Sequence, residues 1–243
     1  ETLLRETTFT AELRRRARGL RRLIVCNRLS KYNVGDDAPL GLAAAPGQKT
    51  ILVPGQVEDD ASVRLGGVDI RTNLGLLAEV RRQNPEAFIV YKPHPDVMAG
   101  NRRGAVTPEE SGRFSNLTVT GRGMPACLAA VEEVHTLTSL TGFEALLHDK
   151  KVTTYGLPFY AGWGLTRDRH PASRRGRKLA LDELVAASLI LYPRYIDWRH
   201  GRLISAESAL EHLSRKRTGR RQKAETRALR WGLKLAGFLG GIV

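Results

Sequence analysis

Between residues 50 and 155, short apolar runs rich in β-branched side chains alternate with amphipathic stretches of helical period, and no other feature constrains the fold as tightly. Residues 50–53, 88–91, 117–119, 134–137 and 152–155 read as strands; residues 73–83, 124–131 and 142–148 read as helices between them. Strands separated by helices of about ten residues form βαβ units, so the expected fold is α/β with a Rossmann-like parallel sheet. Ahead of it, residues 11–29 read as a basic helix with Leu13, Leu20, Leu23 and Ile24 on its apolar face, and residues 36–48 read as a Gly-, Ala- and Pro-rich loop. After it come a basic loop at 167–178, an apolar helix at 181–191, a Tyr- and Trp-rich segment at 192–198 and a helix near 206–213. Both helices are expected to pack back on the core. The organisation predicted is an N-terminal helix and linker over 1–48, the Rossmann-like domain over 49–213, and a basic amphipathic tail over 214–243.

The 243 residues suffice for a sizeable core, and 42% hydrophobic with 26% charged side chains is ordinary for a globular protein. The formal charge of +14 invites a nucleic-acid reading, but nine Lys/Arg against one acid place +8 of it after residue 213. No nucleic-acid-reading motif accompanies the charge, so no nucleic-acid partner is expected. Cys26 and Cys127 fit no metal-ligand spacing and read as reduced thiols of a cytoplasmic protein. The chain opens at Glu1 with no methionine and no signal segment, and is expected to be a piece of a longer protein.

Four polar motifs follow four of the strands, at the edge where open parallel sheets bind ligands. After the second lies Lys92-Pro93-His94-Pro95-Asp96, where two prolines stiffen the backbone around an imidazole and a lysine, a pairing suited to a phosphate oxygen. After the first lies Gln56-Val57-Glu58-Asp59-Asp60-Ala61-Ser62. Three readings compete for its carboxylates, an acidic turn or helix cap, a catalytic carboxylate and, behind these, a divalent-metal site; in extended backbone Glu58 and Asp60 would share a side and Asp59 would point away. Thr138-Ser139-Leu140-Thr141-Gly142 precedes a helix whose unpaired N–H groups suit a phosphate, while Thr141 and Glu144 also fit a capping box. In the last motif, residues 156–164, Phe159, Tyr160 and Trp163 suggest an aromatic lid over a sugar or base, or core packing. His135 reads as a satisfied core histidine.

In order and spacing these motifs, with Phe143-Glu144-Ala145-Leu146 and Leu165-Thr166 extending two of them, resemble the capsule polysaccharide β-Kdo transferases of the KpsC/LipB type. The likeness runs over residues 31–213 and is to the later part of the second, C-terminal transferase module, which would make this the nucleotide-binding half of a GT-B-like glycosyltransferase. The resemblance implies a retaining transfer of 3-deoxy-manno-octulosonic acid (Kdo) from CMP-Kdo to a lipid-linked Kdo acceptor, in capsular polysaccharide biosynthesis and export. It implies Asp60 as the shared carboxylate, with Lys92, His94 and Ser139 at the donor phosphate; by analogy with retaining glycosidases Asp60 is the expected nucleophile and Glu58 or Glu144 its assistant, and the loop readings add Thr141, Gly142, Tyr160 and Trp163 around the donor. No cofactor or metal is expected, because cationic side chains and a helix terminus can meet a monophosphate leaving group. The expected location is the cytoplasm of a Gram-negative bacterium, peripheral at the inner face of the cytoplasmic membrane, with the 214–243 tail on the anionic surface. Two rival classes are a metal-dependent hydrolase built on Glu58, Asp59 and Asp60, and a basic nucleic-acid-binding module.

Overall fold

The computed structural model of the chain describes residues 1–31, 35–197 and 199–215. They fall into two compact units, Glu1–Tyr192 and the part of Pro193–Val243 that is described. In the first unit α1 (Thr2–Glu6) and α2 (Ala11–Cys26) precede β1 (Thr50–Pro54), α3 (Ala61–Gly66) and α4 (Asn73–Gln83). Then follow β2 (Phe88–Lys92), α5 (Pro95–Met98), α6 (Pro108–Phe114), β3 (Leu117–Thr118) and α7 (Met124–Ala130). Next come β4 (Glu133–Thr136), α8 (Leu140–Leu147), β5 (Lys151–Thr154), β6 (Arg167–Asp168) and α9 (Leu181–Val185).

The six strands form one parallel sheet in the order β3-β2-β1-β4-β5-β6. Chain order therefore runs outward in one direction from β1 through β3 and in the other from β4 through β6. The reversal between β1 and β4 is the topological switch point at which connections diverge to opposite sides and leave a crevice. The expected Rossmann-like sheet is the observed one. Its core joins Ile51, Val53, Ile89 and Tyr91 of the strands to Val63 of α3 and Leu76, Leu77 and Val80 of α4. All of β1 is buried, which is why its sequence is a continuous apolar run rather than an alternating one. Elsewhere in the unit α2 packs against α9, with Arg14–Glu183 and Arg18–Asp182 ion pairs at 3.0 and 2.9 Å.

Local chemistry sets most element ends. Thr10 caps α2 by accepting from the Leu13 N–H at 3.2 Å, and the helix stops at Cys26, three residues earlier than expected, where Arg28 adopts a φ of 50°. The run expected as one helix over 181–191 is α-helical only through Val185. From Ala186 to Leu191 it widens to bonds five residues back, and the Tyr192 N–H accordingly donates to the Ala187 carbonyl at 3.0 Å. β6 lies inside the stretch read as a basic loop. It is a two-residue edge strand of charged side chains, which carries no apolar signature; pairing with Thr153 and Thr154 alone defines it.

In the second unit β7 (Tyr195–Asp197) and β8 (Arg202–Ile204) form an antiparallel hairpin, in whose turn His200 Nδ1 lies 2.6 Å from Asp197 Oδ2. Residues 206–215 are helical. The basic tail expected over 214–243 lies, from residue 216 onward, outside the described residues. No helix among the described residues is long and apolar enough to cross a membrane.

Candidate active site

The carboxyl ends of β1, β2 and β4 open onto a cleft of about 620 Å³ at the switch point. Of the residues singled out from sequence, Asp60, Lys92, His94, Ser139, Thr141 and Glu144 line it. Lys31, Arg102 and Arg122 add positive charge to its walls. Glu58, Gly142, Tyr160 and Trp163 are not brought into it.

The acidic triplet after β1 is divided among three partners. Asp60 is the N-cap of α3: its Oδ1 accepts from the Ser62 N–H at 2.9 Å and from the Ser62 hydroxyl at 2.7 Å. These two bonds, the hydroxyl foremost, hold its carboxyl below the usual carboxylate range, so it is an ionised group whose Oδ2 is left for a ligand. Asp59 pairs on the surface with Arg102 at 3.2 Å. Glu58 Oε1 accepts from the Asn73 N–H at 2.7 Å at the head of α4. Glu58 and Asp60 therefore do not face one site as extended geometry suggested, because the chain turns into α3 immediately after Asp59. Nor do the three carboxylates converge as a hydrolase's ligands would; among the described residues no group of three or more His, Cys, Asp or Glu side chains is placed to hold a metal ion.

At the end of β2, Lys92 Nζ donates to the Arg122 carbonyl at 2.6 Å, which steadies the ammonium and leaves it two further protons. His94 is the N-cap of α5, and its Nδ1 accepts from the Asp96 N–H at 3.2 Å. An accepting Nδ1 carries no proton, so the neutral ring carries its proton on Nε2. Burial pushes the His94 pKa down, with Lys31 and Arg102 adding to the effect, which agrees with that tautomer. The rigid His-Pro loop thus presents a neutral donor beside a cationic one. The far wall comes from residues 35–36 and 121–123, joined by reciprocal backbone bonds of 2.8 Å between Asp36 and Gly121 and between Gly123 and Asp36.

Beyond β4 the cap of α8 is Ser139, whose Oγ accepts from the Thr141 N–H at 3.1 Å. The capping box expected between Thr141 and Glu144 is not formed. The helix begins two residues earlier, so Thr141 sits inside its first turn and Glu144 turns instead to accept from the Lys31 N–H at 2.7 Å. Burial pushes the Glu144 pKa up to about 7, against the opposing pull of that N–H and of the Lys31 charge. The cleft wall therefore holds one carboxyl kept ionised and a second poised to exchange a proton near neutrality.

The aromatic lid is corrected by the structure for two of its three rings. Tyr160 and Trp163 are fully buried: the Tyr160 hydroxyl donates to the Ser139 carbonyl at 2.5 Å and Trp163 Nε1 to the Phe159 carbonyl at 2.8 Å. A two-ring polar-tipped cluster of this kind gains more from desolvation than from facing water. Gly142 serves that packing, since a Cβ there would lie 2.6 Å from Tyr160 Cζ. The ring that does reach the cleft is Phe159, 39% exposed and backed by Phe143 at 5.3 Å between centroids. Arg175, only 3% exposed, holds this loop by donating to the Pro158 and Ala161 carbonyls at 2.5 and 2.7 Å.

One positioning residue, Asn73, carried no sequence signal beyond its polarity, and a second, Gln56, was marked only by its place in the motif after β1. Asn73 exchanges bonds of 2.8 Å with both backbone groups of Gln56 and donates to the Gly104 carbonyl at 2.7 Å. Gly104, at φ +122°, comes so close that a Cβ would stand 2.7 Å from Asn73 Nδ2. The Gln56 side chain in turn accepts from the Thr138 N–H at 3.0 Å and donates to the Thr138 hydroxyl at 3.0 Å. The motif after β1 is thereby tied to the motif after β4 across the switch point. His135 lies in β4 within reach of Tyr155 Oη at 3.1 Å and Glu133 Oε2 at 3.3 Å, a core histidine with both nitrogens engaged.

Comparison with known proteins places this cleft in context. The chain is 49% identical over 218 residues to the capsule polysaccharide modification protein LipA of Neisseria meningitidis, covering 89% of this chain and 30% of that protein. It is 43% identical over 221 residues to the lipopolysaccharide-processing protein LpsZ of Rhizobium meliloti, covering 90% of this chain and 50% of that one. Among solved structures it is similar to the β-Kdo 2,7 transferase of Thermosulfurimonas dismutans KpsC, with a TM-score of 0.72, 43% identity and coverage of 87% of this chain and 64% of that one. The β-Kdo 2,4 transferase of the same KpsC matches with a TM-score of 0.72, 34% identity and coverage of 84% and 64%. The chain thus spans about a third to a half of its curated relatives. Residues 1–195 match the capsule polysaccharide biosynthesis protein family, and with that match added to the four motifs and the cleft that each of them helps to line, the chain belongs to this family and to its KpsC/LipB type.

Proposed function

We propose that the chain is the donor-binding part of a retaining β-Kdo transferase that takes Kdo from CMP-Kdo and passes it to a lipid-linked Kdo acceptor. The observation that carries this reading is the pairing in one cleft of an ionised carboxylate, Asp60, with a separate set of phosphate-compatible donors, Lys92, His94 and Ser139. The Asp60 carboxylate attacks the anomeric carbon as the bond to the CMP phosphate breaks, and the phosphate leaves with the electron pair. Lys92 Nζ, His94 Nε2–H and the Ser139 hydroxyl meet the charge that develops on it, with the first turn of α8 adding its dipole. The acceptor hydroxyl then displaces Asp60 from the same carbon, so two inversions give retention. Glu144 takes the proton of that hydroxyl, a task for which a pKa of about 7 suits it and for which Glu58, committed to Asn73, is not placed. Phe159 is the ring available to stack on the donor.

Higher identity to the 2,7 transferase than to the 2,4 transferase, 43% against 34%, favours formation of a 2,7 linkage. The 214–243 tail would hold the enzyme at an anionic leaflet beside its lipid-linked acceptor. Its nine basic residues are worth about 1 kcal/mol each near such a surface. Equal sedimentation with anionic vesicles after deletion of 214–243 would remove that part of the reading. The chemistry is tested by intact-mass trapping of a Kdo adduct in the full-length protein incubated with CMP-Kdo. The adduct should map to Asp60 and vanish in Asp60→Ala, and an adduct on any other residue would refute the assignment.

A further inference from the structure

A second cavity, of about 300 Å³, lies against β4, β5 and β6, lined by residues that take no part in the cleft just described. Parallel sheets are normally covered on both faces and read as apolar. Here one row of the sheet is polar: by register Glu133 pairs with Lys151, His135 with Thr153, and Thr153 with Arg167. Lys49, Asn84 and Tyr155 complete the wall.

The hydrogen-bonding capacity of this cavity is unbalanced. Its acceptors are taken. Glu133 receives Lys49 at 3.0 Å and Lys151 at 3.8 Å and lies 3.3 Å from His135 Nε2; the Lys49 ammonium also reaches Asn84 Oδ1 at 3.0 Å. Asp168 receives the Thr154 hydroxyl at 2.8 Å, the Thr166 hydroxyl at 2.6 Å and the Gly162 N–H at 2.8 Å. Gln83 Oε1 receives the Tyr155 hydroxyl at 3.0 Å, and Arg169 is held by Asp69 and Glu79. What is left over are donors. Neither the Arg167 guanidinium nor the Thr153 hydroxyl has a hydrogen-bond or ion-pair partner among the described residues, and they are neighbours across the β5–β6 ladder.

A cavity with spent acceptors and unspent donors selects an acceptor-rich anion. We propose that Arg167 and Thr153 form a second binding site for a small oxyanion, a carboxylate or phosphate group borne by a sugar-sized molecule, distinct from the cleft at the switch point. Arg167 would engage two of its oxygens in a bidentate pair and Thr153 would donate to a third polar atom. Lys49 adds the field of its charge. A volume of about 300 Å³ is at the small end of ligand pockets and fits one monosaccharide rather than a chain.

The test is a backbone-amide NMR titration of the whole chain in two arms, with inorganic phosphate and with free Kdo as the carboxylate probe, which separate the two sources of the anion. Saturable shifts at Thr153 and Arg167 in either arm are expected. Arg167→Gln should weaken binding there at least tenfold and Thr153→Val several-fold, and neither should alter shifts around Ser139. Arg167 is on the surface of an edge strand, so its replacement leaves the core intact, and an unchanged amide spectrum without ligand checks this. Shifts confined to the Lys92–His94–Ser139 cleft, or equal affinity in wild type and Arg167→Gln, would overturn the proposal.

Discussion

Replacing Asn73 by alanine should destabilise the protein far more than a polar residue at a helix start ordinarily would. Asn73 is 2% exposed and makes three side-chain bonds, at 2.8, 2.8 and 2.7 Å, all to backbone groups of Gln56 and Gly104. Alanine would strand one buried N–H and leave two carbonyls each short of a donor. At about 1 kcal/mol net for each bond the loss is about 3 kcal/mol. For a protein of this size each kcal/mol moves the melting temperature by about 2–4 °C, so a fall of about 6–12 °C is expected by circular dichroism. Asn73→Asp is the informative companion. Its Oδ1 can still accept from Gln56, but the second oxygen would face two carbonyls, so at neutral pH it should cost at least as much as alanine. Because Gln56 begins the loop that carries Asp60, both variants should also lower transfer activity below the melting temperature. A melting temperature within 2 °C of wild type for both would show that the Gln56–Asn73–Gly104 network does not hold the acidic loop.

Three further predictions concern the cleft. If Glu144 acts as a base, kcat/KM of the full-length enzyme should rise with pH through about 7, and Glu144→Gln should be slow and lack that limb; retention of the limb would assign it to another group. The sign for stability is opposite. A carboxyl whose folded pKa is raised from 4.5 to about 7 favours the folded state below the unfolded value and loses that contribution as pH rises toward 7, so Glu144→Gln should gain stability relative to wild type at pH 8 and not at pH 4. His94→Ala should weaken CMP binding by about 1.5–3 kcal/mol, the range for a hydrogen bond to a charged acceptor, and calorimetry showing unchanged affinity would make His94 no more than the cap of α5.

Much of the architecture is legible in the chain before it folds. The strands at residues 50–54 and 88–92 are marked by apolar runs because a parallel strand is buried on both faces, and the helix over Asn73–Gln83 by its period. The placement of polar motifs immediately after those strands follows from connectivity alone, since a βαβ chain must send each strand's carboxyl end to the same edge. Local sequence also determined that His94 and Asp60 would stand at turns, through flanking prolines in one case and a downstream Ser62 in the other.

What it left undecided are the relations between segments distant in sequence. Whether Glu58 or Glu144 faces the cleft depends on who else claims each carboxylate, and the claimants, Asn73 and Lys31, are chosen by packing. The same holds for the aromatic loop. Tyr160 and Trp163 are as polar at one end as a ligand-facing ring would be, yet Gly142 leaves room for Tyr160 against α8 and Arg175 straps the loop down, so Phe159 alone reaches the cleft. β6 is the extreme case: two charged residues become a strand only because β5 offers them an unpaired edge. Period and burial are properties of a segment and can be read along the chain. The partner of a buried polar group is a property of three-dimensional proximity, and only the folded sheet supplies it.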